Sequence, residues 1–343
     1  MELSYPGVKI ARDVSFEEIW SLFLDSGFLY PEKVARLQPV MPEIQQTVRA
    51  LLDANGHLLA TVVLRNEDVP EAHISLLRWY EQTWIVQHLA ALPLSARGLD
   101  ASARVNLALT YYGQLRPDIQ WGKVFFRPNN AWPARVFGGF ARQLTDPRTS
   151  DLRVFHYLSA PLGPALPDAP AGIRVRNANA DDLIRIEDWF TERGRTVELM
   201  ANDLQASRAN LASVSRLFNT AGLHRRRESI VAERDGHIKG FALLEISSLG
   251  LNFSELTNAF TVHLFEEDPH VRLALVRSAA RRYAELDRRQ CIALEEGDDL
   301  SSFEAAGFVK IKDYACWTFH RDHLANLEEY FITLFGARRR RNA

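Results

Sequence analysis

Three consecutive carboxylates, Glu266, Glu267 and Asp268, stand directly before Pro269 and a helical pattern. Acids this close together could take a proton from an amine or hold a cationic substrate. They also complement the positive end of a helix dipole, as acids before a helix ordinarily do. His88 and His263 fall at similar points of two strand-like runs. An imidazole there could act as a base, or be tied to a neighbouring backbone group. Cys291 and Cys316 are the only cysteines in 343 residues. Two thiols make neither a disulfide framework nor a metal cluster, and they point to a reducing, cytoplasmic setting. No HxxxH or CxxC spacing, no GxSxG elbow and no GxxxxGK[ST] loop occurs, so no metal is expected and hydrolase or P-loop chemistry has no motif.

The elements that must position these residues form a pattern that occurs twice. Segments 53–64 and 233–244 align without a gap, and their Asn55-Gly56 and Asp235-Gly236 pairs predict type I′ hairpin turns. In each copy there follow a strand with a histidine (83–93 and 258–269), a helical stretch and another strand (121–128 and 290–296). A Gly-Phe pair (Gly139-Phe140 and Gly307-Phe308) and a closing strand (152–158 and 313–320) complete the order. Equivalent features lie about 170 to 180 residues apart, which indicates duplication. Val271, Leu275, Ala279 and Tyr283 share one helical face, and Leu183, Ile186, Trp189 and Phe190 form another behind Asn/Asp capping signals.

Pro161, Pro164, Pro167 and Pro170 recur every third residue and predict an extended connector between the copies. The expected organisation is an N-terminal domain 1–158, a linker 159–172, a C-terminal domain 173–323 and an amphipathic segment with a basic tail 324–343. In that last segment Leu327, Phe331, Leu334 and Phe335 form an apolar face that could pack on its own domain or meet an acidic partner or anionic surface. With 47% apolar and 24% charged residues and a net charge of −2, the composition is that of a globular protein with no call for a nucleic-acid partner. No secretory signal and no apolar run of 18 residues is found, so no transmembrane segment is expected.

The stretch "DLSSFEAAGFVKIKDYACWTF", the run "ALPLSARGLDASARVNLAL" and the segment "NNAWPARVFGGF", together with the element order, resemble the GNAT superfamily of acyl-CoA-dependent N-acyltransferases. The resemblance implies an α+β fold with two GNAT-like domains in tandem, each a mixed, mainly antiparallel sheet flanked by helices. It implies transfer of an acyl group from a CoA or carrier-protein thioester (acetyl-CoA or a longer acyl-CoA) to a small-molecule or peptide amine. Arg97 and Gly98 match the loop that offers backbone N–H groups to the CoA pyrophosphate at a helix N-terminus. Asn130 matches an asparagine that helps hold the pantetheine or the acceptor, and Glu266 and Glu267 are candidate bases beside a groove between the halves. The N-terminal half is the expected donor site.

The sequence also departs from that pattern. Asp100 takes a glycine position of the loop, where it would repel a pyrophosphate or serve as the helix N-cap. The second copy has no glycine between strand and helix. Phe303 stands where a proton-donating tyrosine is frequent, and Phe137 is its counterpart. These departures motivate an alternative, a catalytically degenerate tandem module that binds a protein or a small signalling ligand.

Overall fold

Ser15 and Glu18 close a capping box: the Glu18 N–H donates to Ser15 Oγ at 3.2 Å, and the Ser15 N–H to Glu18 Oε2 at 2.8 Å. Asn179 and Asp182 do the same at 2.9 and 2.8 Å. Each box starts the first helix of one half. The computed structural model describes residues 8–11, 14–54, 56–92, 95–162 and 170–341. The first half runs β1 (Val8–Ala11), α1 (Phe16–Asp25), α2 (Pro31–Leu37), α3 (Met41–Asp53), β2 (Leu59–Asn66), β3 (Val69–Arg78), β4 (Thr83–Ala91), α4 (Ser95–Leu115), β5 (Trp121–Phe126), α5 (Ala131–Ala141) and β6 (Ser150–Pro161). The second half repeats it: β7 (Arg174–Asn177), α6 (Ala180–Glu192), α7 (Thr196–Ala201), α8 (Ala212–Thr220), β8 (Arg225–Arg234), β9 (His237–Ser247), β10 (Ala259–Leu264), α9 (Pro269–Ala284), β11 (Gln290–Glu295), α10 (Ser301–Glu304) and β12 (Val309–His320). A last helix, α11 (Leu324–Arg341), follows.

Each half contributes mixed, mainly antiparallel strands, with one parallel pair, β4 beside β5 and β10 beside β11. The two sets form one 12-stranded sheet in the order β1-β2-β3-β4-β5-β12-β6-β11-β10-β9-β8-β7. The closing strands are exchanged. β12 of the second half pairs with β5 of the first, and β6 of the first pairs with β11 of the second. β6 and β12 pair with each other along ten positions, with a register shift at Lys310/Lys312. An apolar cluster joins Trp79, Tyr80 and Ile85 of the first half to Phe218, Leu256 and Tyr314 of the second, so the junction is a core.

Helix faces are as the periodicity predicts. Val271, Leu275, Ala279 and Tyr283 are buried, as are Ile186, Trp189 and Phe190, with Leu183 partly buried. Leu327 and Phe331 of α11 are buried against Val124, Phe126 and Phe137 of the first half, with Leu334 and Phe335 partly buried beside them. The apolar face of the C-terminal segment therefore packs within the molecule. Among the described residues no helix is long and apolar enough to cross a membrane.

Two local expectations are corrected. Asp235-Gly236 does turn the β8–β9 hairpin, with φ of +53° and +75°. Gly56, in contrast, lies between α3 and β2, and Asn55 lies outside the described residues. The first-half hairpin turns at Glu67-Asp68, with φ of +47° and +70°. Strand pairing forces the left-handed turn there without the glycine or asparagine that usually marks it. Gly139-Phe140 lies inside α5 and breaks nothing, whereas Gly307 takes φ +85° behind α10 and does end its helix. The expected linker begins too early, because Ser159, Ala160 and Pro161 still pair with β11, and residues 163–169 lie outside the described residues.

Candidate active site

β4 and β5 pair in parallel from Thr83↔Trp121 to Val86↔Val124 and then part. The cause lies in β4. Its pairing with β3 steps from Ser75↔Gln87 to His73↔Ala90, so β4 carries one extra residue. His88 sits in that bulge at φ +57°, a left-handed conformation unusual for a side chain of this size. The bulge turns β4 away from β5 and opens a cleft of about 420 Å³ between Val86 and Leu89 on one side and Phe125 and Phe126 on the other.

The second half closes this cleft. The segment between β9 and β10 crosses over, with Gln87 Nε2 donating to the Leu251 carbonyl at 3.0 Å and Asn252 Nδ2 to Gln87 Oε1 at 2.9 Å. Phe253 stacks on His88 with ring centroids 4.3 Å apart. Tyr157 donates to the Ser254 carbonyl at 3.0 Å and Tyr314 to Ser254 Oγ at 3.1 Å. Gly250 lets the segment approach α3, since at φ +87° any Cβ there would lie 2.9 Å from Ile44 Cα.

Lys33, Arg36, Arg127 and Lys312 line the cleft, and no Asp or Glu is among its described lining residues. Burial, with Arg36 and Lys312 adding repulsion, pushes the Lys33 amine down to about 7. Lys33 Nζ lies over the Phe28 ring at 3.8 Å, and Lys312 Nζ lies 4.8 and 5.0 Å from the Tyr157 and Tyr314 rings. Burial holds His88 well below the usual imidazole range, helped by Lys33, and its Nε2 is buried without a hydrogen-bond partner. His73 Nδ1 meets the His88 carbonyl at 2.8 Å.

A second cavity of about 580 Å³ adjoins this one across Arg36, which lines both. Its walls are Leu37, Val40, Ile292, Val309 and Ile311, with Glu43, Glu255 and Arg288 among its polar groups. Glu255 stands between Ser254 and Leu256 of the cleft and is left-handed at φ +55°. Burial raises its carboxyl above the usual carboxylate range, opposed by a bond from Asn258 Nδ2 at 2.8 Å.

The corresponding gap in the second half is built differently. β10 pairs with β11 only at Ala259↔Ile292 and Phe260↔Ala293, but keeps an unbroken register with β9 to Leu264. Its charges are paired with each other. Arg195 reaches Glu198 and Glu296 at 2.6 Å each, Arg153 reaches them at 3.1 and 3.2 Å, and Arg272 reaches Glu295 at 3.3 Å. Asp268 caps α9, accepting from the His270 and Val271 N–H groups at 2.9 and 3.2 Å, and pairs with Arg234. The helix end that would receive an anion already holds one. His263 is a core histidine, its Nε2 3.0 Å from Thr261 Oγ1 and its ring stacked on Phe241. Phe303 is fully buried against Phe260 and Phe308.

The structure separates the residues named from sequence. Asn130 lines the first-half cleft, where its side chain also caps α5 by accepting from the Trp132 N–H at 3.3 Å. Arg97, Gly98 and Asp100 lie within the opening turns of α4, so they are helical and Asp100 is not the N-cap. Their side chains lie outside the described residues. Glu266 and Glu267 are each 82% exposed, beside Lys239 at 3.8 Å and Arg272 at 2.6 Å, and neither is among the described residues lining the cleft. Sequence reasoning missed Glu255 and Tyr314. A lone acid inside the apolar run "LNFSELTNAF" was the signal for the first; for Tyr314 there was none, since its strand belongs to the other copy.

No family model matches the sequence, and no curated protein matches it. Among solved structures it superposes on a Drosophila protein with a TM-score of 0.53 at 14% identity, covering 89% of this chain and 97% of that one. It superposes on the GCN5-related glucosamine N-acetyltransferase region of a fungal multi-domain GH3 beta-N-acetylglucosaminidase with a TM-score of 0.51 at 13% identity, covering 93% of this chain and 39% of that one. A tandem GNAT protein from the clavulanic acid biosynthesis pathway aligns more loosely, at a TM-score of 0.43 and 16% identity over 81% of this chain and 88% of that one. At such identities the likeness concerns the fold. Taken with an element order that occurs twice, it shows that this chain carries the GCN5-related N-acetyltransferase fold in tandem.

Proposed function

We propose that the protein transfers an acyl group from a CoA or carrier-protein thioester to an amine, with the donor in the first-half cleft. The observation that carries this reading is the bulge at His88, which parts β4 from β5 above four cations and no described carboxylate. The residues fit such a donor. Val86, Leu89, Phe125 and Phe126 would flank its thin arm, and Arg36, Arg127 and Lys312 would meet its phosphates, with Arg97 and Gly98 at the start of α4 as further contacts. Asn130 would orient the arm or the acceptor. When bound, the thioester supplies the activated acyl carbon.

The amine enters from the second cavity, whose apolar walls and Glu43 and Glu255 carboxylates suit a primary amine on an apolar body. Glu255 takes the proton from the ammonium; a carboxyl raised by burial is better matched to that task than an ordinary one. Tyr314 gives its hydroxyl proton to the departing thiolate and is re-protonated through Ser254 or water. This replaces the matched tyrosine positions, Phe137 and Phe303, with a residue from the exchanged strand. Glu266 and Glu267 would at most attract a cationic acceptor toward the molecule.

A second reading, a non-catalytic module, is supported for the second half alone by its self-paired gap charges and its capped helix. Calorimetric titration with acetyl-CoA and longer acyl-CoAs, followed by thiol release over a panel of amines, tests the whole. One equivalent bound and thiol release that depends on an amine are expected. Neither binding nor release would overturn it.

A further inference from the structure

We propose that Lys33 is a self-acylation site: with no acceptor in the neighbouring cavity, its ε-amine takes the acyl group of a thioester held in the first-half cleft, and the modified side chain closes that cleft. This rests on the donor reading above.

Lys33 lies on α2, half-buried, with Nζ over Phe28 and facing the cleft. The groups around it are Arg36 on its own helix, Tyr30 before it, His88 on β4, Arg127 after β5, and Lys312 and Tyr314 on β12. All are cationic or neutral, so nothing described in the cleft fixes Lys33 as an ammonium. By contrast, Lys310 pairs with Asp313 at 2.9 Å, Lys239 lies 3.8 Å from Glu266, and Lys123 donates to Asn202 Oδ1 at 2.6 Å. With burial and its cationic neighbours pushing it to about 7, much of Lys33 is free amine near neutral pH.

The step balances without a redox partner. The Nζ lone pair forms the N–C bond to the acyl carbon and the C–S bond breaks. The proton released by Nζ ends on the thiol, directly or through water. The products are an amide at Lys33 and a free thiol. The amide can no longer be protonated to meet an anion and its acyl group enters the cleft, both of which oppose binding of another anionic donor.

Two arms test this on the intact chain. In the first, calorimetry establishes whether acetyl-CoA binds, and peptide mass spectrometry follows each lysine during incubation without an amine. Acylation should appear first at Lys33, with a rate that rises through pH about 7 and then levels, and the acylated protein should lose acetyl-CoA binding. Binding without modification of Lys33 overturns the inference and leaves the donor reading standing; absence of binding overturns both. The second arm needs neither CoA nor a variant. Limiting N-acetoxysuccinimide should label Lys33 at least about tenfold faster than Lys310 at pH 7, and equal labelling overturns the inference. Lys33→Arg should abolish the adduct without moving it to Lys312.

Discussion

The gap between β4 and β5 and the gap between β10 and β11 are made from the same elements in the same order, yet they present opposite surfaces. In the first, one extra residue at His88 bends a strand, and four cations face an opening with no described carboxylate. In the second the strand stays in register, and arginines and glutamates satisfy each other. Cations that meet no described carboxylate stay available to the anionic groups of a ligand, even where, as at Arg36, one N–H donates to the Phe253 carbonyl at 3.1 Å. Paired charges stabilise a fold but leave nothing for a ligand. On the proposed function the two gaps divide the labour, one holding the donor and its copy serving as structure.

The largest effect should come from Glu255. Glu255→Gln should slow amine acylation by about 10²–10⁴-fold with acetyl-CoA binding unchanged, since it removes a general base and no donor contact. In the wild type the rate should rise with pH as this carboxyl loses its proton, and the midpoint should sit above that of an ordinary glutamate because burial raises it. A flat profile together with an active glutamine variant would remove the composite site from the comparison.

Arg195→Met should cost about 3 kcal/mol of stability, read from the urea midpoint, because it leaves Glu198 and Glu296 in the second gap with only Arg153. Acetyl-CoA affinity should not change; if it fell, the second gap would be a donor site and the division would fail. Arg127→Ala should weaken acetyl-CoA binding about tenfold while stability stays put, as expected for an exposed cation whose partner is the ligand. Asp268→Ala should have the smallest effect, about 1 kcal/mol from loss of the α9 cap. It should not create a second acetyl-CoA equivalent, which calorimetric stoichiometry would reveal.

What could be read from the chain follows the range of the forces involved. The capping boxes, the buried faces of α6 and α9 and the hairpin at Asp235-Gly236 are fixed by residues within a few positions of each other. The hairpin at Glu67-Asp68 was not legible, because no local residue asks for a left-handed turn there and the pairing of β2 with β3 imposes it. The bulge at His88 was hidden for the same reason. Its histidine was visible, but a strand pattern does not say where one strand has a residue more than its neighbour. Arg97 and Gly98 were chosen from a motif, whereas Lys33 and Arg36 of α2 and Lys312 of β12 meet only in space.

The sequence by itself determined the duplicated α+β plan, the capped start of α6 and the buried faces of α6 and α9, since these depend on periodicity and local hydrogen bonding. Only the tertiary structure decided that β6 and β12 trade places, that α11 packs on the first half, that Tyr314 reaches a cleft opened by strands of the other copy, and that Glu255 lines the cavity beside it. The two copies offer nearly interchangeable closing strands, so local pattern gives no preference between a strand's own sheet and its twin's. The choice rests on contacts more than 150 residues apart in sequence, such as Tyr314↔Phe155 and Cys316↔Phe125, which exist only once both halves have folded together.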